Sequence, residues 1–557
     1  MKKTLSVGMC LALLLTACAP SASSSPASQA PAQSGSGTQS AAPTQSSEAG
    51  TGEKKVYTLT GKTDSNDGPW KDMYLFEYVQ EKFGFDLEIT EIPGSVWNEK
   101  INIAFATNEY PDFFLNGLTE TDRQTYGSQG IILDLNSYIT PEITPNIAGI
   151  YQKYPELKAA TQSYDGHLYH ISGYDKTNIR EYAQTRFFIN KKWAENLGVK
   201  VPTNLDEYYT YLKAVKDGDA DGDGNTDDEY PISGSFENDP SSILTPVLAA
   251  YGYALSFSTR TETTYVDVKD GKVIYVPIED NFKEILAYMR RLYQEQLLDN
   301  EFFTQSKDQR DAKIASGKVA AFCDNAQWLQ MTDPALYSQW DGLEPMTSDV
   351  NQTKVWPAHD VKMLGQFAIT DKCSDPVDLL RFADWCFTQE AYLIHLGGYE
   401  VGTVPGREGG YVLEHLDASY GENAIRMNFT VPAEYPNESK WREATLSPGW
   451  ASIPVNRSEF TMVESSENEL ALNDAINNNY TPYYKVGWPS STKFSAEEID
   501  ELSLIRADLD PYLRQMVSKF IAGEESLDNF DQFVQGCKDR KLDRYLEIYQ
   551  TAYDRRK

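Results

Sequence analysis

The sequence predicts an α/β architecture of sheets covered by helices, on three observations. From Lys55 onward, β-branched and aromatic runs alternate with amphipathic helical patterns, the rhythm of βαβ units. Phe282, Ile285, Leu286, Met289, Leu292 and Tyr293 fall at i, i+3, i+4, i+7, i+10 and i+11, one helical stripe facing a core. The 557 residues are 41% hydrophobic and 12% aromatic. That is material for about two to four domains or lobes and is too aromatic for a disordered acidic chain.

The elements follow in order. Val56 to Thr60 reads as a strand, Lys71 to Phe83 as a helix and Asp86 to Ile92 as a strand. Ser95 to Thr107 reads as a helix and Asp112 to Leu115 as a short strand. Thr203 with Asp206 forms a capping box opening the helix of Tyr209, Leu212 and Val215. Near the end, Pro511 reads as a helix start, the run continues to Ala522, and Gly523 supplies a left-handed stop. Ser526 then caps a helix with Leu527, Phe530, Phe533, Val534 and Cys537 on one face.

Charge narrows the function. Fifty basic against 82 acidic side chains leave a net −32, which excludes a general nucleic-acid binder and a polybasic membrane-surface protein. The N-terminus indicates export. Lys2 and Lys3 precede an apolar run from Leu5 to Thr16, too short to span a bilayer but the length of a signal-peptide core. Leu15-Thr16-Ala17-Cys18 resembles a bacterial lipoprotein box, so residues 1–17 are read as a signal peptide and Cys18 as the lipidated (palmitate-bearing) residue. The alternative is an ordinary secretory signal. Residues 18–54 are nearly all Ser, Ala, Gly, Pro, Gln and Thr, the composition of a flexible tether. The expected location is the extracytoplasmic face of the cell membrane, held only by lipid. Cys323, Cys373, Cys386 and Cys537 show no metal spacing, and their pairing is left open.

One motif carries its own chemistry. From Asp219, carboxylates recur at Asp219, Asp221 and Asp223, with Gly222, Gly224 and Asn225 interleaved, the front half of an EF-hand-type loop. So many like charges repel without a cation, and calcium suits the flexible geometry. Position 12 is Tyr230; the closing carboxylates are Asp227, Asp228 and Glu229, and which of these binds is open. A lone loop without paired helices implies a structural ion, not a sensor. His167 and His170 stand at i, i+3 with no partner cluster, so no zinc site is read.

Several segments resemble one family. RFFINKKWAENLGVKVPTNLDEYYTYLKAVKD (Arg186 to Asp217) with DADGDGNTDDEYPI (Asp219 to Ile232) resembles the extracellular solute-binding lipoproteins of family 1, in the large branch that includes the alginate-binding proteins. WNEKINIAFATNEYPDFF (Trp97 to Phe114), LYQEQLLDNEFFTQ (Leu292 to Gln305), SGKVAAFCDNAQW (Ser316 to Trp328) and MVSKFIAGEESLDNFDQFVQ (Met516 to Gln535) resemble further blocks of the family. The resemblance implies a periplasmic-binding-protein-like fold (type II) of two α/β lobes joined by hinge crossings. On that basis the N-terminal lobe is expected to hold residues 55–185 and 364–445. The C-terminal lobe, with the calcium loop, is expected to hold 186–363 and 446–557.

It also implies a monomeric receptor that captures a carbohydrate, usually an oligosaccharide, and passes it to the permease subunits of an ABC transporter. Sugar rings stack on aromatic faces, and their hydroxyls need amides and carboxylates. Trp328, in the turn Asn325-Ala326-Gln327-Trp328, resembles the stacking tryptophan of maltose-type receptors, with a core tryptophan as the other reading. Trp70 and Asn116 follow strands and are placed at the cleft. Asn325, Trp356, Tyr399, Glu400, Trp441 and Trp450 complete the candidates, each also readable as a packing or surface residue. A same-fold receptor for a peptide or metal, or a surface glycoside hydrolase, are the alternatives. The chain shows no Gly-x-Ser-x-Gly elbow and no HExxH, and no enzyme is read.

Overall fold

Two sheets position everything else. In the computed structural model, which describes residues 54–556 apart from 65–66, 176–184, 237–241, 256–263, 332, 362, 450–451, 464–466 and 490, nine strands form them: β1 (Val56–Thr63), β2 (Asp86–Pro93), β3 (Phe113–Leu115), β4 (Ile171–Tyr174), β5 (Arg186–Asn190), β6 (Tyr230–Ile232), β7 (Val319–Asp324), β8 (Trp340–Gly342) and β9 (Met363–Ile369). The first sheet runs β2-β1-β3-β9-β4 and the second β8-β5-β7-β6. Cys18, the expected signal and the expected tether up to residue 53 lie outside the described residues.

Register tells which edges face which. β1 pairs in parallel with β2 and β3, while β9 runs antiparallel to β3 and β4. The carboxyl edge of the first sheet therefore gathers the ends of β1, β2, β3 and β4 and the start of β9. The chain leaves for the second sheet from this edge, after Tyr174, and re-enters at it with Met363. In the second sheet β5 is antiparallel to β7, with Arg186 opposite Asp324, and β6 is parallel to β7. The arriving strand β5 thus enters on the edge where β7 ends. The crossings thus join the carboxyl edges of the parallel strands in both sheets, which is where ligands bind in open α/β sheets.

Each sheet has its own core. One hydrophobic cluster draws on residues from Tyr57 to Tyr174 and from Phe367 to Phe460. The other draws on Phe187 to Trp356 and Leu472 to Tyr549. The last crossing therefore falls after Phe460, later than the expected 446. Two glycines account for the difference. A Cβ on Gly173 would lie 2.0 Å from the Val455 carbonyl, and one on Gly365 would lie 2.3 Å from the Ile453 backbone. With no side chain there, β4 and β9 admit the Ile453–Val455 backbone as a strap before the chain departs.

Local expectations meet two corrections. The helix Leu205–Asp217 is capped by Asn204, whose Oδ1 accepts the Glu207 N–H at 2.9 Å, while Glu207 takes the Thr203 N–H and hydroxyl. The cap sits one residue later than read, because Asn is as good a cap as Thr and brings Glu207 into reach of Thr203. Pro511 does not begin a helix. It lies inside the 27-residue helix Ala496–Ala522, whose capping box is Ser495 with Glu498 and whose stop is Gly523 at φ 84°. Buried Leu502, Ile505, Leu509, Leu513 and Val517 bracket the proline and hold that helix together by packing. The stripe read over Phe282 to Leu292 is buried in the helix Asp280–Gln294. Cys323, Cys373, Cys386 and Cys537 are buried free thiols.

Candidate functional site

The cleft-facing edge of the second sheet is built at the end of β7. Asp324 is buried and fully engaged: its Oδ2 accepts both terminal nitrogens of Arg310 at 2.9 and 2.6 Å and the Gln330 amide at 3.2 Å. Its Oδ1 accepts the Asn325 N–H at 2.7 Å. This charge-assisted clamp anchors the turn that follows. Arg186, from the neighbouring strand, donates to the Asn325 carbonyl. The turn then presents Asn325, Gln327 and Trp328. Asn325 Oδ1 and Gln327 Oε1 have no donor among the described residues. Trp328 is half-buried, its ring 6.3 Å from that of Tyr337. Both amide oxygens are covered in this conformation, so the turn holds two buried acceptors in need of donors beside a half-buried indole.

The opposing edge carries an acidic loop after β1. Asp67 Oδ1 accepts the Gly449 N–H at 3.0 Å, and its Oδ2 accepts the Asp64 N–H at 3.2 Å and Trp70 Nε1 at 3.4 Å. Burial pushes this carboxyl above its ordinary value, against the pull of those donors. The Gly68 N–H donates to the Glu443 carbonyl at 2.8 Å, so the loop is tied to the 443–449 segment. Asn116 closes β3 in the left-handed region at φ 60°, half-buried, donating its N–H to the Gln366 carbonyl at 3.0 Å.

Other aromatic candidates are packing residues. Trp70 is 0% exposed, stacked on Phe76, and fills the space a Cβ on Gly61 would take, 2.0 Å away. It seals the first core and offers no ring face to a ligand. Trp356 is likewise 0% exposed, donating Nε1 to the Thr185 carbonyl at 3.0 Å, with Tyr480 at 5.0 Å. Tyr399 and Trp441 pack together with Leu446, and the Tyr399 hydroxyl donates to the Glu408 carbonyl at 2.9 Å. Glu400 is exposed beside them on the first lobe. Each of these aromatics follows a glycine or loop in the sequence, a context that a buried wedge and a stacking platform share. Trp450 lies outside the described residues, immediately after the Gly449 held by Asp67. Sequence reasoning missed Gln327 as a site residue and the Arg310–Asp324 clamp; the latter pair stands fourteen positions apart, with no local signal.

The acidic loop from Asp219 sits at the other end of the second sheet, before β6. Carboxylate oxygens of Asp219, Asp221 and Asp223 lie within 4.8 Å of one another. Asp219 accepts the Gly222 and Gly224 N–H groups at 2.8 and 3.0 Å, both glycines having positive φ. Asp221 and Asp223 accept the N–H two residues on, and Asn225 accepts that of Asp227. Of the three closing acids, Asp227 is exposed while Asp228 is half-buried and Glu229 buried. Glu229 accepts the Ala220 N–H at 2.9 Å through Oε1. Its Oε2 and Asp228 Oδ1 have no donor among the described residues. Burial raises the Glu229 carboxyl. The donor set is all oxygen, with two buried carboxylate oxygens nearby in the chain that lack donors, and it fits a hard divalent cation. No histidine joins a metal-binding group among the described residues: His167 pairs with Asp134 at 2.8 Å.

A family model for bacterial extracellular solute-binding proteins matches residues 75–409. The chain belongs to that family. Among curated relatives, the solute-binding chain is 25% identical over 514 residues to the fructooligosaccharide ABC transporter substrate-binding protein FusA of Streptococcus pneumoniae, covering 90% of each. It is 23% identical to Lipoprotein LipO of Bacillus subtilis, over 52% of this chain and 54% of that one. Its fold is that of the two-lobed solute-binding proteins. A FusA EF-hand mutant in complex with fructo-nystose superposes with a TM-score of 0.75 at 20% identity, covering 90% of this chain and 99% of that one. A human-milk-oligosaccharide (HMO)-binding solute-binding protein of Bifidobacterium longum infantis gives 0.74 at 16%, with the same coverage. The alginate-binding protein AlgQ2, solved without calcium, gives 0.66 at 19%, again over 90% and 99%. FusA and the Bifidobacterium protein are named as binding proteins of ABC transporters. No helix among the described residues is long and apolar enough to cross a membrane.

Proposed function

We propose that this chain is a monomeric, lipid-anchored receptor that captures a neutral oligosaccharide between its lobes and hands it uncleaved to an ABC transporter permease. The observation that carries the reading is the turn after β7. There half-buried Trp328 offers a stacking face, next to covered amide oxygens of Asn325 and Gln327 that have no donor among the described residues. Asn116 and the Asp64–Asp67 loop meet the same ligand from the other lobe, and Trp450 follows a glycine fixed to that loop. Asp64 and Asp67, with a chain charge of −32, disfavour a polyuronate and accept sugar hydroxyls. Trp70, Trp356, Tyr399 and Trp441 shape the walls without touching sugar. Cys18 carries the anchor at the extracytoplasmic face, and the name of the LipO relative supports that placement.

Calcium is the structural ion of this reading. Asp219, Asp221, Asp223, the Asn225 carbonyl and Asp228 would hold it, with Glu229 bracing the loop through Ala220. Bound, it would supply positive charge to a crowd of carboxylates. Asp227 stays at the exposed rim. A thermal-shift screen tests the ligand class: neutral oligosaccharides raise the melting temperature, whereas uronate oligomers, peptides and amino acids leave it in place. A shift with peptides alone contradicts the proposal.

A further inference from the structure

Lys318 directly precedes β7, and its carbonyl accepts the Tyr230 N–H at 2.7 Å, which fixes it beside the acidic loop. Its ammonium pairs with Asp223 at 2.7 Å, with Asp228 at 3.0 Å, and more closely with Asp221. All three are carboxylates read above as metal ligands. A lysine ammonium has three donor hydrogens, and here it donates to Asp221 and Asp223 while Asp228 completes the set as an ion pair. The same oxygens cannot serve an ammonium and a divalent ion together, since two cations a few ångströms apart repel strongly. The ammonium does not satisfy the loop fully. Glu229, 8% exposed, keeps an oxygen with no donor among the described residues, and so does Asp228.

We propose that Lys318 is the resident cation of this loop in its metal-free state, and that a divalent ion enters only by displacing it. Only the second half rests on the calcium reading. The loop then stays folded when metal is scarce, held by a charge from the neighbouring strand. Displacement weakens the apparent metal affinity by the cost of breaking three ion pairs.

The test compares the full chain with Lys318→Met and Lys318→Arg, in chelator and in millimolar-range calcium. Hydrogen exchange of residues 219–229 and the melting temperature are followed. In chelator, Lys318→Met should exchange its loop amides at least about tenfold faster and melt lower, while Lys318→Arg stays near the parent. Calcium should restore the Met variant, and by titration it should bind calcium at least about tenfold tighter than the parent, having lost a competing unit charge at ion-pair distance. Equal exchange of parent and Met variant in chelator overturns the proposal, and equal calcium affinity does so too. If neither protein takes up calcium while the variant's loop opens, the metal reading fails and the lysine stands as the loop's own cation.

Discussion

Tryptophan at this scale divides into platform and wedge. Trp328 keeps part of its ring in solvent at a cleft-facing edge, whereas Trp356 is wholly enclosed and bonded to the Thr185 carbonyl. Trp328→Ala should weaken oligosaccharide affinity by about tenfold or more, the worth of one stacked aromatic, with a small change in melting temperature. Trp356→Ala should instead destabilise by about 3–5 kcal/mol through the cavity it leaves. Calorimetric titration and thermal unfolding of both variants separate the roles. Another residue sets a pH limit. His170 is 1% exposed, and burial first, then the charges of Arg123 and Lys493, hold its imidazole well below the usual 6.5. The native state keeps it neutral while the unfolded chain takes a proton below pH 6.5. The unfolded state therefore binds more protons there, and stability falls as pH drops, by up to about 1.4 kcal/mol per unit. His170→Asn should flatten that slope in denaturant unfolding between pH 6.5 and about pH 5. An unchanged slope contradicts the assignment.

Among the elements, those written by local spacing were legible from the sequence, and those decided by distant packing were not. The acidic loop was readable because its chemistry recurs every second residue, and the stripe of the helix Asp280–Gln294 because one face is continuously apolar. Pro511 reads as a helix start by propensity, yet the apolar face on either side carries the helix through it. Trp70 reads as a cleft residue by its place after a strand; only the contact with Gly61, nine residues earlier, reveals it as core. Of the candidate site, the Asn325–Trp328 turn was in view, while its Arg310 clamp depends on tertiary folding. The loop's position yields a prediction of its own. Lys318 and the loop mark the start of β7, and the turn proposed to meet sugar lies at its end, about 17 Å away for a six-residue strand. Calcium should therefore raise the melting temperature above that in chelator by mass action, and leave oligosaccharide affinity unchanged. A large loss of sugar affinity on chelation would place the ion in the binding cleft instead.

For the whole molecule, the proposed function rests on two sheets joined at the carboxyl edges of their parallel strands. The chain crosses between them after β4, before β9 and again beyond Phe460, so each lobe is closed by distant segments. That arrangement suits hinge closure, in which binding energy selects one lobe orientation for a permease to read. The alternation of strands and helices made the sheets predictable. The late third crossing was not, because it depends on Gly173 and Gly365 accepting a strap from nearly a hundred residues or more downstream. The most direct test is calorimetric titration of the mature chain with neutral oligosaccharides, followed by chromatography of the recovered ligand. The account predicts one saturable site per chain and ligand returned at full length. Absence of binding to every neutral oligosaccharide, or recovery of shortened products, would contradict it.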